Sequence, residues 1–389
     1  MSEKNPEQLI EAKMRKDGIE ETALRAFLHA VQKARSGEKC EISEDEITAV
    51  TELPRLEDVA CQPTGSSARL DELVVIKLNG GLGTTMGLDR AKSLLPVKGD
   101  DTFLDFIARQ ILHLRANHGG PLAPRFYFMN SFHTRKDTLD YLRKYPELWQ
   151  QGEVDFLQGR APKLHPETYE PFSWPDNPAL EWHPTGHGDI YRTLSATGLI
   201  DQWLQQGIKY MFVSNADNLA ATVDLPLLHY FASSGFSFLM EVAERTKSDV
   251  KGGHLARCRS NQRLVLRETK QCPERDIGEF QNIEKHRFFN TNNLWIRLAD
   301  LKSLLQKHGG WLPLPVIVNR QHIDPTDKAT PIVLQLESAM GAAIEFFDNA
   351  NALVVPRSRF IPVKTNEELQ ALRSDAYKVT GDFRLAPAR

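Results

Sequence analysis

Apolar positions follow two rhythms along this chain. From Leu73 to Leu78 they run almost without a break, which predicts a buried strand. Shorter runs of the same kind predict strands at Arg125 to Met129, Met211 to Ser214, Phe236 to Ala243, Arg263 to Glu268 and Asn293 to Ile296. Between them the spacing turns helical. Phe103, Ile107, Ile111 and Leu114 form a stripe that Thr102 caps, with Asp105 at the capping-box position. Ser131 to Thr134 opens a helix over Lys136 to Lys144, and further helices are predicted from about Asp224 to Ala232 and over Ser338 to Phe347. Strands alternating with helices predict an α/β fold, a mixed, mainly parallel sheet flanked by helices. Ligands of such folds sit beyond the carboxyl ends of the strands.

Two regions depart from this alternation. In residues 1–70, Ile10, Met14, Leu24, Phe27 and Val31 recur at helical spacing among many charges, which predicts a peripheral helical segment. Glu44 to Val59 reads as an acidic connection and Gln62 to Ala68 as a loop. Gly159 to Pro184 holds six prolines and two tryptophans, and predicts an ordered surface loop that borders a pocket. The domain reading is 1–70 helical, 71–355 catalytic, and 356–389 a short C-terminal segment.

Composition narrows the classes. At 389 residues, 41% hydrophobic and 25% charged, the chain is an ordinary globular protein. A net charge of −3 gives no case for a non-specific nucleic-acid or polybasic membrane binder. No apolar run is long enough to span a bilayer, and the charged N-terminus lacks a signal-peptide core. Cys40, Cys61, Cys258 and Cys272 are scattered without a CxxC pair, so a disulfide framework or structural zinc is not expected and a cytoplasmic location is.

Candidate chemistry gathers at strand ends. Asn79 to Gly87 follows the first core strand, with Gly80, Gly81 and Gly83 close together and Lys92 just downstream. Glycines let backbone N–H groups approach a phosphate, and a lysine adds mobile charge. The stretch is neither a P-loop, since Lys92-Ser93 follows Ala91, nor a dinucleotide fingerprint, since Met86 stands where a third glycine belongs. Glycines flank His187 in Thr185 to Tyr191, where Asp189 is placed to cap the next helix. Asp217 follows the strand Met211 to Ser214, a suitable place for one carboxylate to hold Mg²⁺ beside phosphates, though also for an Asx turn. Asn290, Asn292 and Asn293 offer amides suited to sugar hydroxyls, or a turn. Arg357, Arg359 and Lys364 lie between Pro356 and Thr365, where a solvated basic turn is the plainer reading.

Together the stretches KLNGGLGTTMG, KSLLPV, GHGDIY, FVSNADNLAATVD, FNTNNLWI, QLESAMGAA and VPRSRFIPVKT closely resemble the UTP–glucose-1-phosphate uridylyltransferases (UDP-glucose pyrophosphorylases) of the eukaryotic type, from about Leu73 to Thr365. The resemblance implies a Rossmann-like sheet of the nucleotide-diphospho-sugar transferase type. It implies that Leu78, Asn79, Gly80 and Gly81 line uridine and its phosphates, and that Gln158 reads the uracil edge. Gly186 and His187 would contact nucleotide and sugar phosphate, and Asn215 would lie near ribose and sugar. Asp217 would hold Mg²⁺, Asn290 and Asn292 the glucose hydroxyls, and Lys92 and Lys364 would be catalytic. The implied reaction joins MgUTP and glucose 1-phosphate by direct in-line attack, giving UDP-glucose and pyrophosphate. A broader sugar-1-phosphate range, or a glycosyltransferase that uses a UDP-sugar, is the alternative. Family members carry a further C-terminal β-helix domain, whereas about two dozen residues follow Lys364 here, so a monomer or weak oligomer is expected.

Overall fold

The computed structural model describes residues 5–37, 41–60, 69–83 and 90–388. The loop expected at Gln62 to Ala68 and the far part of the glycine stretch, Thr84 to Gly87, lie outside the described residues.

One sheet of ten strands organises the chain. Its strands are β1 (Ile47–Ala49), β2 (Leu73–Asn79), β3 (Arg125–Asn130), β4 (Asp155–Leu157), β5 (Tyr210–Asn215), β6 (Phe238–Glu244), β7 (His254–Cys258), β8 (Leu264–Arg267), β9 (Phe288–Arg297) and β10 (Ala350–Val354). Their order is β1-β7-β9-β5-β2-β3-β4, with β6 and β10 branching from β9 and β8 pairing β7. The pairs β5-β2, β2-β3 and β3-β4 are parallel, as is β6-β10. The β9 strand runs antiparallel to both β5 and β6. The expected mixed α/β sheet is therefore present. Every residue of β2 is buried, because separate apolar clusters cover the two faces of the sheet.

Local chemistry explains several elements. Helix α3 (Phe103–His118) begins at a full capping box, in which Thr102 accepts from Asp105 and Asp105 returns the bond. Helix α4 (Arg135–Leu142) follows β3, and helix α6 (Leu225–Ser234) starts at Asp224, whose carboxylate accepts from the Leu227 N–H. Between them lies helix α5 (Ile190–Ala196).

Three expectations need amending. Ser338 to Phe347 was expected to be α-helical but forms a 3-10 helix over Met340–Phe346. The Met340 N–H donates to His187, and Gly341 is pressed against Asn290 and Leu266, so side-chain contacts rather than a helical ladder shape the segment. The strand expected at Asn293 to Ile296 is longer and absorbs the asparagine run, as β9 shows. The N-terminal region holds more than helices, since β1 joins the main sheet through β7. Its helices α1 (Pro6–Lys16) and α2 (Glu21–Arg35) bury Ile10, Met14, Leu24, Phe27 and Val31 against Trp182, Leu334 and Leu336.

The proline-rich segment is ordered, as expected, but it is not merely a surface loop. Arg160–Pro162 pairs with Trp182–Pro184, and Leu164 exchanges backbone hydrogen bonds with Leu334. Lys13 with Glu181, and Arg160 with Asp17, tie it to α1 and its C-terminal end.

Candidate active site

The carboxyl ends of β2, β3, β4 and β5 come together at one edge; β2, β3 and β5 end in Asn79, Asn130 and Asn215, and Gln158 follows the end of β4. A buried network fixes them. Asn79 donates to Asn130 Oδ1 at 2.8 Å and to Thr138, and Asn130 donates to Asp155, which also pairs with Arg135. The Asn79 amide nitrogen is thus spent on holding strand ends. Ser131 donates to the Gly80 carbonyl and Thr134 to that of Asn79. These bonds set the direction in which the chain leaves β2.

A cleft of about 540 Å³ opens above this edge. Its lining includes ten of the residues expected at the site: Leu78, Asn79, Gly80, Gly81, Lys92, Gln158, Gly186, His187, Asn215 and Asp217. Such a volume suits one nucleotide-sized ligand. Gln158 packs so closely on Gly80 that a side chain there would displace its amide nitrogen, and its Oε1 is buried without a hydrogen-bond partner among the described residues. An orphaned acceptor of this kind calls for a donor from a ligand.

At the floor, Lys92 Nζ donates to Asp217 Oδ2 at 2.6 Å and also to the Val363 carbonyl. Asp217 Oδ1 is buried without a hydrogen-bond partner among the described residues. A divalent cation is a fitting partner for that oxygen, since Mg²⁺ takes one or two carboxylates and completes its shell with phosphates and water. No group of three or more His, Cys, Asp or Glu side chains that could hold a metal ion occurs among the described residues. Beneath this loop Lys77 is fully buried and donates to Ser214 and to the Ala221 carbonyl, and burial lowers its ammonium to about 7.

His187 accepts the Met340 N–H at its Nδ1, and burial lowers its pKa to about 4. The ring is therefore neutral with its proton on Nε2, a donor but not a cation. Asp189 occupies the N-cap position of α5 without making the expected capping bond. Its carboxylate instead holds the Gly159 N–H at 2.6 Å and pairs with Arg192. Gly186 has φ +84°, and a Cβ there would lie 2.6 Å from the Ser338 carbonyl oxygen. Backbone cannot swing aside as a side chain can. Gly186→Ala is expected to cost about 1–3 kcal/mol of stability, read as a lowered midpoint in denaturant melts.

Asn290, Asn292 and Lys364 are not in the lining of this cleft. The two asparagines sit on a bulge of β9, where Glu241 pairs Asn293 and Val242 pairs Asn290. Asn292 takes φ +59°, and the two side chains bond each other at 2.8 Å. The asparagine run is therefore both strand and local left-handed turn. Lys364 is exposed, on the strap that follows Arg359. Burial raises the Glu268 carboxyl while the Lys364 ammonium lowers it, so the two are within electrostatic reach. Arg357 and Arg359 do not join Lys364 in a basic turn. Arg357 pairs with Asp249, and Arg359 is buried against Glu241 at 2.8 Å.

Sequence reasoning missed His133, Lys163, His183 and Gln335 in the cleft wall. The signal for two of them was present, since Lys163 and His183 lie in the proline-rich segment that was expected to border a pocket.

A cleft at the carboxyl ends of parallel strands, edged by glycines and with a lysine-aspartate pair at its floor, is the setting in which α/β folds take their ligands. The comparison with known proteins is more specific. The chain belongs to the UTP–glucose-1-phosphate uridylyltransferase family, whose model matches residues 24–389. It is 41% identical over 322 residues to the probable UTP–glucose-1-phosphate uridylyltransferase of Schizosaccharomyces pombe, covering 82% of this chain and 62% of that protein. It is 38% identical over 373 residues to the Solanum tuberosum enzyme, covering 94% and 75%. The chain thus spans less than two thirds of the length of the first of these relatives. Among solved structures, a mutant of the UDP-glucose pyrophosphorylase of Leishmania major in complex with UDP-glucose matches at TM-score 0.92 and 47% identity, covering 100% of this chain and 83% of that one. A Trypanosoma brucei structure matches at TM-score 0.91 and 46% identity, covering 98% and 82%.

Proposed function

We propose that this chain transfers UMP from MgUTP to glucose 1-phosphate, releasing pyrophosphate and UDP-glucose. The observation that carries this reading is the Lys92–Asp217 pair beside the glycine-lined end of β2, where a triphosphate and its cation need opposite charges side by side. The family adds the identity of the substrates.

A phosphate oxygen of glucose 1-phosphate attacks the α-phosphorus of UTP. The bond from that phosphorus to the bridging oxygen of pyrophosphate breaks, and pyrophosphate takes the electron pair. The protein's task is positioning and charge neutralisation. Gly80 and Gly81 admit the phosphates, and Gln158 Oε1 accepts the N3–H of uracil. His187, neutral with Nε2–H, donates to a phosphate without competing for a proton. Lys92 follows the β- and γ-phosphates. Mg²⁺ held by Asp217 would screen the triphosphate charge. Lys364 steadies the attacking phosphate and the charge at the α-phosphorus. A related protein is described in open and closed forms. A comparable closing of the cleft walls toward the anchored strap would bring the reacting groups to Lys364, which is exposed here.

The test is pyrophosphate release from UTP and glucose 1-phosphate with Mg²⁺, beside CTP and galactose 1-phosphate. UTP-selective release is expected, and the second sugar phosphate measures the sugar range. A folded protein that binds UDP-glucose but releases no pyrophosphate would favour the UDP-sugar-using alternative. Gly80→Ala adds a local probe, because the colliding atom is the movable end of Gln158. The fold should persist while KM for UTP rises about tenfold and discrimination against CTP falls.

A further inference from the structure

Asn218 follows the aspartate at the floor of the cleft, yet its side chain turns away from the ligand space and is buried at 1% exposure. Both ends of its amide are used on one target. Asn218 Nδ2 donates to the Arg359 carbonyl at 3.1 Å, and Asn218 Oδ1 accepts the Ile361 N–H at 3.0 Å. A backbone bridge joins Asn218 to Pro362. The next carbonyl along, that of Val363, receives Lys92 Nζ. The strap is also anchored from below, where Arg359 pairs with Glu241 and donates to the Thr222 carbonyl at 3.0 Å. Glu241 in turn holds Asn293 and Trp295 on the strand that carries the paired asparagines.

The geometry points to Asn218 as a positioning residue: we infer that its amide clips the strap carrying Lys364 to the loop carrying Asp217, so that the two charged groups keep register. The reason is mechanical. Residues 215–218 form a turn closed by the Asn218 N–H on the Asn215 carbonyl, so Asn218 and Asp217 move together. A side chain that bonds two backbone groups two residues apart fixes both the position and the direction of the strap. Lys364 lies three residues beyond the second of these bonds, and the Lys92 contact is the last bond to the loop system before it. The inference rests on the proposed role of Lys364, and its test separates the two.

Asn218→Ala is compared with the parent chain, with Lys364→Ala and with the double variant. Asn218→Ser is kept in reserve should the alanine variant fold poorly. Hydrogen exchange over residues 360–364 should speed up in Asn218→Ala, because the Ile361 N–H loses its acceptor. Turnover should fall about tenfold with KM for UTP within about twofold, the mark of lost positioning rather than lost binding. In the Lys364→Ala background the same substitution should cost nothing further. Unchanged exchange would overturn the clip. A turnover loss of equal size in both backgrounds would also overturn it, because Asn218 would then act on something other than Lys364. Normal turnover in Lys364→Ala would remove the chemical role of the lysine, while the exchange measurement would still decide whether Asn218 holds the strap.

Discussion

Lys364→Ala is expected to lower kcat by about 10²–10³-fold while leaving the fold and the affinity for UTP nearly unchanged. The side chain is exposed, so its removal opens no cavity, and the neighbouring structure does not depend on it. The hydrogen bonds at this turn come from the backbone, with the Lys364 and Thr365 N–H groups both donating to Glu368 in the capping of the helix that follows. Melting temperature should therefore stay within the range of an ordinary surface change. The chemical loss should be large because the proposed transfer brings two anionic groups together in the transition state, and a cation placed where charge develops acts more strongly there than in the ground state. Lys364→Arg tests placement against charge. It keeps the cation but spreads it over a planar fork, so partial recovery is expected. The measurement is steady-state kinetics with thermal melts of the same samples. A folded alanine variant with near-parent turnover would take Lys364 out of the mechanism.

The parts of the molecule that were legible beforehand are those in which local pattern and tertiary role agree. The nearly unbroken apolar run of β2 is read as a buried strand, and the Thr102–Asp105 pair caps the helix that its spacing announces. Ten expected residues share one cleft because strand-end motifs of parallel strands necessarily meet at one edge of the sheet. What the pattern did not disclose came from contacts distant in sequence. Asp189 forgoes the cap because the Gly159 N–H, 30 residues earlier, takes its carboxylate together with Arg192 of the same helix. The asparagine run is absorbed into β9 because β6 supplies a partner on both sides of a bulge. Arg359 reads as a solvated cation in sequence but is buried, because Glu241, its counter-charge, lies 118 residues earlier. The helical spacing of α1 and α2 was legible, but not the cleft wall that they brace.

The second large effect is expected from Asp217→Asn, and its signature is the loss of metal dependence in nucleotide binding. In the parent chain, titration with UTP should give a higher affinity with Mg²⁺ than without it. In the variant the two titrations should coincide, and turnover should fall by at least about 10²-fold. Asparagine keeps the shape of the carboxylate but not its charge, so the fold should survive at a cost of about 1 kcal/mol for the lost partner of a largely covered lysine. Lys92 would still have the Val363 carbonyl. Melts with and without MgUTP then separate a binding defect from a folding defect, since only a state that binds ligand is stabilised by it. The pairing of Lys92 with Asp217 adds a consequence of opposite sign. In the ligand-free protein the lysine compensates a charge that the cation would otherwise share. Lys92→Ala should therefore bind Mg²⁺ more tightly in the absence of nucleotide while it turns over more slowly in its presence. A simple loss of a structural ion pair would weaken both. If UTP affinity in Asp217→Asn still rose with Mg²⁺, the cation would be held elsewhere, and the pair at the cleft floor would be structural rather than catalytic.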